Sequence, residues 1–157
     1  MSDPHAVSPT PRQVMVAAAG REIRDGEIVF VGMRLPLIAF AIAKALYAPT
    51  AIGLFENGVI RDTAPLAPLV TMGDPPNIAG AVACTGLLDV MALLQQGRVD
   101  LGLLGAAEVD RFGNLNTTRV GDVRLPGSGG SRDIAALSRR FIVLLAHERR
   151  RFRERVA

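Results

Sequence analysis

Tryptophan is missing from this 157-residue chain, tyrosine occurs once and phenylalanine six times, so aromatics make up 4% of it. Proteins that bind single-stranded nucleic acid stack bases on exposed aromatics beside their cations; that class is excluded, and no nucleic-acid partner is expected. Cysteine is represented by Cys84 alone. It cannot close an internal disulfide, and its setting, Val82-Ala83-Cys84-Thr85-Gly86, predicts a small buried hydrophobe. With only His5 and His147 beside that thiol, there is no cluster at a metal-binding spacing, and His147, among arginines, reads as a structural or surface residue. Long apolar runs are missing too. The longest unbroken one covers residues 37–43, against ~20 needed to cross a bilayer, so no membrane partner is expected. Residues 1–13 hold prolines and an aspartate but no apolar segment of the secretory kind, which makes the cytoplasm the expected location. A Gly-x-Ser-x-Gly elbow and a Gly-Lys-Ser/Thr phosphate loop are both absent, which argues against serine hydrolysis of that type and against P-loop nucleotide binding.

What is present is a chain 49% hydrophobic with 16 glycines and 10 prolines, enough to bury the core of one domain. The net charge of +3 is unevenly spread: residues 1–138 balance at −2, whereas residues 139–157 carry seven arginines against Glu148 and Glu154. The basicity is therefore a tail rather than a face. A flexible arm over residues 1–12, one domain over 13–147 and a basic tail over 148–157 are the expected organisation.

Hydrophobic spacing predicts a helix over 13–23, then a short β-branched run at 27–31 closed by Gly32, as in a strand buried on both faces. Pro36 suits the first turn of a helix running to about residue 47. A second buried strand follows at 51–55, and a proline-rich connection leads to a helix over 86–96. Strands at 99–104, 115–120 and 141–146 and a helix over 133–139 complete the alternation. The expected fold is α/β, an open, mostly parallel sheet with helices on both faces. Ligands of such sheets sit beyond the carboxyl ends of the strands, which directs attention to the residues after 31, 55 and 104 and to the loop before 133.

Glu56 follows an entirely apolar strand and precedes Asn57-Gly58, a pair that favours a tight turn. It is either a base or nucleophile with Asn57 and Gly58 beside it, or a polar residue opening an ordinary turn. The run from Gly127 through Ser128, Gly129 and Gly130 to Ser131, Arg132 and Asp133 lets backbone amides converge at a helix start that Ser131 or Asp133 could cap; it is an oxyanion nest or a plain flexible loop. Gly32-Met33-Arg34-Leu35-Pro36 is a third strand-to-helix turn, where Arg34 either pairs with a carboxylate or phosphate or is solvated. Glu108, Asp110, Asn114 and Asn116, in a segment rich in self-satisfying turn residues, favour a structural role.

Taken in order, the Gly-x-x-Leu-Pro-Leu-Ile turn, the strand ending in Glu-Asn-Gly, the Gly-Ala-x-x-Val-Asp-x-x-Gly-Asn-x-Asn segment, the Gly-Ser-Gly-Gly loop and His-Glu-Arg-Arg-Arg-Phe resemble the β subunit of family I CoA-transferases, of the glutaconate CoA-transferase kind. The resemblance covers about residues 14–152 and implies the CoA-transferase/sugar-isomerase type of fold. It implies that Glu56 is the nucleophile of a ping-pong cycle through a glutamyl-CoA thioester, with coenzyme A as substrate and no permanently bound cofactor. It also implies that Gly32, Asn57, Gly58, Gly127, Gly129 and Gly130 supply an oxyanion or CoA-binding frame, and that Arg34 and Asn116 meet substrate. The partners it implies are an α subunit that shares the active-site cleft in a hetero-oligomer, an acyl-CoA and a carboxylate. Arg34 stands where that family usually has a second glycine. Related heterodimers use the fold for hydrolytic ring opening of CoA esters, and a non-catalytic ligand-binding subunit is the reading from outside the enzymes.

Overall fold

A computed structural model describes residues 8–156. Along them run α1 (Pro11–Arg21), β1 (Ile28–Val31), α2 (Leu35–Leu46), β2 (Ile52–Phe55), β3 (Val59–Arg61), α3 (Pro75–Ile78), β4 (Ala83–Cys84), α4 (Leu87–Gln95), β5 (Leu101–Gly105), β6 (Glu108–Asp110), β7 (Leu115–Asn116), β8 (Arg119–Val120), β9 (Val123–Arg124), α5 (Ser131–Leu137), β10 (Arg140–Leu144), a 3-10 turn at Arg149–Arg151, and β11 (Phe152–Arg153). The main sheet is ordered β10-β5-β1-β2-β3-β4. Its first four strands are parallel, and β3 and β4 add an antiparallel edge.

Alternation along each strand explains why the parallel segments read as unbroken apolar runs. Val29, Val31, Phe55, Leu101 and Leu103 pack with Val16 and Ala19 of α1 and Leu37, Phe40 and Ala43 of α2. Phe30, Leu54 and Leu104 face the other way, onto Val90 and Leu94 of α4 and Ile134 of α5. Helices thus cover both faces, as expected. Phe40 meets Phe55 edge to face, 5.9 Å between ring centroids, and each such fully buried ring contributes about 1.5–3 kcal/mol.

Several boundaries differ from expectation for local reasons. The first helix starts at Pro11, inside the expected arm, because Thr10 and Gln13 form a reciprocal capping box; residues 1–7 of that arm lie outside the described residues. The strand expected over 115–120 divides: β7 joins a small sheet ordered β11-β6-β7, and β8 pairs with β9. Within the proline-rich connection lie α3 and the short antiparallel β3 and β4. Helix α5 begins at Ser131, and neither Ser131 nor Asp133 caps it: Gly130 holds the cap position, while the Ser131 hydroxyl donates to the Ser128 carbonyl at 2.7 Å. Cys84, expected to be buried, is exposed on the edge strand β4.

The basic segment read as a tail is seated on the fold. Phe152 and Arg153 pair in parallel with Val109 and Asp110 of β6, Arg153 Nε lies 2.5 Å from Glu108 Oε1, and the Val156 N–H donates to Asp110 Oδ2. Charge opposite Glu108 and Asp110, not a free basic end, is what the arginine-rich sequence supplies there.

Arg34 carries backbone strain. Its φ is +69° and its ψ −110°, the corner geometry that type II′ turns reserve for glycine, and a non-glycine residue held there costs on the order of 1–3 kcal/mol. Glycine gives back roughly 0.5–1 kcal/mol in unfolded-state entropy, so Arg34→Gly is expected to raise stability by about 1 kcal/mol in urea unfolding. A fall in stability would show that the guanidinium holds the turn.

Candidate functional site

Parallel pairing sets Val31 beside Phe55 and Val31 beside Leu103, so Gly32, Glu56 and the chain after β5 emerge along one edge of the sheet. Glu56 is the first residue beyond β2, half-buried, with no hydrogen-bond or ion-pair partner for its carboxylate among the described residues. The tight turn after it is closed by the Gly58 N–H donating to the Phe55 carbonyl at 2.8 Å. Gly58 has φ +94°, and a Cβ there would lie 2.2 Å from the Thr85 carbonyl oxygen; only glycine fits. Asn57 anchors the turn from the side, its Nδ2 donating to the Met72 carbonyl at 3.0 Å.

The glycine loop reaches the same carboxylate. A Cβ on Gly130 would lie 2.8 Å from Glu56 Oε1 and 3.2 Å from its Cδ. Backbone and carboxylate therefore touch, across some 74 positions of sequence. Gly127 (φ +109°) and Gly129 (φ +50°) bend the loop in open space, and the Gly129 and Gly130 N–H groups have no acceptor among the described residues. An unpaired carboxylate against free backbone donors, at the carboxyl edge of a parallel sheet, can attack a carbonyl while those donors take up the developing oxyanion.

The sequence expectations divide accordingly. Glu56, Gly129 and Gly130 come together, and Gly127 shapes the loop. Gly32 and Gly58 frame the site but cannot donate to a ligand, because the Gly32 N–H is committed to the Leu103 carbonyl at 3.0 Å and that of Gly58 to the turn. Asn57 supports the turn. Asn116, expected to meet substrate, is corrected: it is buried in the small sheet, its Nδ2 donating to Glu108 Oε2 at 2.7 Å and to the Arg119 carbonyl, and its Oδ1 accepting from the Thr118 and Arg119 N–H groups. Arg34 is exposed at the same edge. Arg61 was not anticipated. Fully buried, it donates to carbonyls of Thr63, Ala64, Pro76, Asn77 and Ala79 and so ties together the loop whose Met72 carbonyl holds Asn57. The signal for it in the sequence is slight: one arginine at the end of a three-residue strand.

In the small sheet, burial pushes the Glu108 carboxyl up, but hydrogen bonds from Arg153 and Asn116 outweigh it and hold the group below the usual glutamate range. Asp110 is likewise held low: burial raises it, and donors from Asn114, Val156 and Phe112 prevail. A carboxyl whose folded value is depressed stabilises above its unfolded value and loses that contribution as pH falls through the folded one. Below pH ~4, where unfolded Asp and Glu begin to protonate, the small sheet is expected to loosen before the main sheet. Amide exchange at Phe112, Asn114 and Val156 rising ahead of that at Phe30 and Leu103 is the expected pattern; simultaneous loss would refute it.

Among the described residues no helix is long and apolar enough to cross a membrane, and no group of three His, Cys, Asp or Glu side chains is placed to hold a metal ion. The β subunit of the 3-oxoadipate CoA-transferase of Pseudomonas knackmussii is 38% identical over 151 residues, 92% of this chain and 58% of that protein. A crystal structure of glutaconate coenzyme A-transferase from Acidaminococcus fermentans superposes with a TM-score of 0.85 at 28% identity, covering 95% of this chain and 60% of that one. The decarboxylase AibA/AibB superposes at 0.81 with 30% identity, over 92% and 63% of the two chains. The chain thus spans about three fifths of the length of the relatives it matches. Residues 12–157 match the family described as Coenzyme A transferase, and with the mostly parallel sheet and the Glu56–Gly130 junction at its carboxyl edge this chain belongs to that family.

Proposed function

We propose that this chain is the β subunit of a heteromeric CoA-transferase in which Glu56 is the nucleophile. The observation that carries the reading is the contact between the unpaired Glu56 carboxylate and the backbone of Gly130. The Glu56 carboxylate attacks the thioester carbonyl of an acyl-CoA, forming an acyl-glutamyl anhydride and releasing coenzyme A as thiolate. The thiolate then attacks the glutamyl carbonyl, which frees the first acid as carboxylate and leaves a glutamyl-CoA thioester. A second carboxylate repeats the two steps in reverse order, and the new acyl-CoA leaves with Glu56 regenerated. Each intermediate keeps the activation of the thioester, so water must be excluded. The Gly129 and Gly130 N–H groups take the oxyanion of each tetrahedral stage. The relatives named for 3-oxoadipate and glutaconate transfer are themselves named as one subunit of a larger enzyme, which supports a dicarboxylic acyl group as substrate and an α subunit in the complex.

A second reading rests on the likeness to the decarboxylase AibA/AibB: the cleft holds an acyl-CoA whose chemistry proceeds without a covalent Glu56 intermediate. One experiment separates the two. The chain, combined with an α subunit of the relatives' kind, is incubated with glutaryl-CoA and then borohydride, and the peptides are weighed. Reduction of a glutamyl thioester at Glu56 is the expected result. Turnover with Glu56 unmodified overturns the transferase mechanism in favour of the second reading.

A further inference from the structure

Three arginines from separate parts of the chain converge on a second feature of the carboxyl edge. A cleft of about 890 Å³ opens beyond the ends of β5 and β10, and Arg12 of α1, Arg34 of the strained turn and Arg151 of the 3-10 turn all line it. His147 stands at its border, its ring edge on Phe152. Arg12 and Arg34 have no ion-pair partner among the described residues, whereas Arg119, Arg139, Arg140, Arg150 and Arg153 each have one. Arg151 is partly committed: Nη1 donates to the Ala107 carbonyl at 3.3 Å, and Nε, buried, makes no hydrogen bond although Glu148 lies 3.5 Å away.

The acid in this cleft does not neutralise it. Glu148 is 2.6 Å from Arg150 Nε, outside the cleft lining, and that bond, against a slight opposing effect of burial, keeps its carboxyl ionised below the usual range. Three guanidinium groups thus face one carboxylate already held elsewhere. Between them the walls are apolar, with Met15, Leu35, Val143 and Leu145. Fixed cations around an apolar trough recognise an anion that carries a hydrocarbon body, because the guanidinium fork binds oxyanions in bidentate fashion and the trough takes the methylenes.

We propose that this cleft is a binding subsite for an oxyanion borne on an apolar chain, with Arg34 and Arg151 as its principal ligands and Arg12 closing the third side. The cleft lies two to three strand spacings of ~4.8 Å from the end of β2, so a chain attached at Glu56 can extend into it. Its role in acyl selection rests on the transferase reading, but binding itself does not. Two sources offer the anion: the far carboxylate of a dicarboxylic acyl group, or a phosphate of coenzyme A.

The full chain, without coenzyme A or partner, is titrated calorimetrically with glutarate, butyrate and adenosine 3′,5′-bisphosphate. Saturable binding of glutarate, at least about tenfold tighter than butyrate and weakened about tenfold in Arg34→Gln and again in Arg151→Gln, is the result expected of a carboxylate subsite. Tighter binding of the bisphosphate, lost in the same variants, also supports the subsite and assigns it to the coenzyme. Arg34→Gly, which relieves the backbone, should lose binding as Arg34→Gln does, which separates loss of the guanidinium from misfolding. Absence of saturable binding by any of the three, or affinities unchanged in both glutamine variants, overturns the proposal. Trapping at Glu56 is unaffected by either result, so failure here and failure of the transferase mechanism are told apart.

Discussion

Glu56→Gln, assembled with its α subunit, then supplied with acyl-CoA and acceptor acid, is expected to transfer CoA at a rate lower by a factor on the order of 10⁴ or more, the scale on which removal of a covalent nucleophile acts. The amide keeps the shape of the side chain but cannot open the anhydride route. Glu56→Asp should lose about 100-fold, because drawing the oxygen back by one methylene moves it by ~1 Å from the reacting carbon. Gly130→Val tests the other half of the junction. Its Cβ alone would sit 2.8 Å from Glu56 Oε1, so the carboxylate is displaced and the loop donors shift with it, at an expected cost of about 10²–10³ in turnover. Steady-state rates, read beside melting curves that establish folding, decide the matter. A Glu56→Gln enzyme at the wild-type rate would remove this glutamate from the chemistry.

The second large effect is on stability and lies at Arg61. Its guanidinium is fully buried and donates to five carbonyls and to the Thr63 hydroxyl. Burial lowers its pKa from the ordinary arginine value, opposed by nearby Asp62, yet an arginine remains charged. Arg61→Met fills part of the volume but strands those carbonyls without donors, each unmade bond costing roughly 1–3 kcal/mol before water rescues any. A net loss of about 3–5 kcal/mol is expected, comparable to breaking a buried ion pair. Arg61→Lys should do little better, since one ammonium cannot span two loop segments. Urea unfolding measures the loss, and a change under about 1 kcal/mol would mean that the loop holds itself.

Where the sequence is informative, one physical pattern is responsible: runs of Val, Ile, Leu and Phe too short for a helix and too apolar for an exposed strand. Ile28–Val31 and Ile52–Phe55 announce themselves that way, and with them the parallel sheet and the edge where Glu56 sits. The contact of Gly130 with Glu56 is not legible from spacing, because it depends on how α5 docks across the sheet. Nor is the small sheet. Glu108–Asp110 and Phe152–Arg153 pair, but they are three and two residues long, and a polar strand that short has no periodicity to detect. Cys84 misleads for a related reason: small apolar neighbours suggest burial, whereas on an edge strand they mark a surface left open. Asn116 looks like a ligand-facing side chain because Asn in a Gly-Asn-x-Asn segment is equally suited to bonding its own backbone, and here the backbone wins.

The geometry of Arg34 has a consequence for how this chain has changed over time. Glycine and arginine codons differ by a single base, so relief of the +69° φ is always one substitution away. A backbone burden on the order of 1–3 kcal/mol is a sizeable fraction of a domain's total stability, and drift alone would return the position to glycine. Persistence of the arginine then sets a lower bound on what its guanidinium contributes: selection favours that charge at the mouth of the cleft by at least as much as the turn disfavours the residue that carries it.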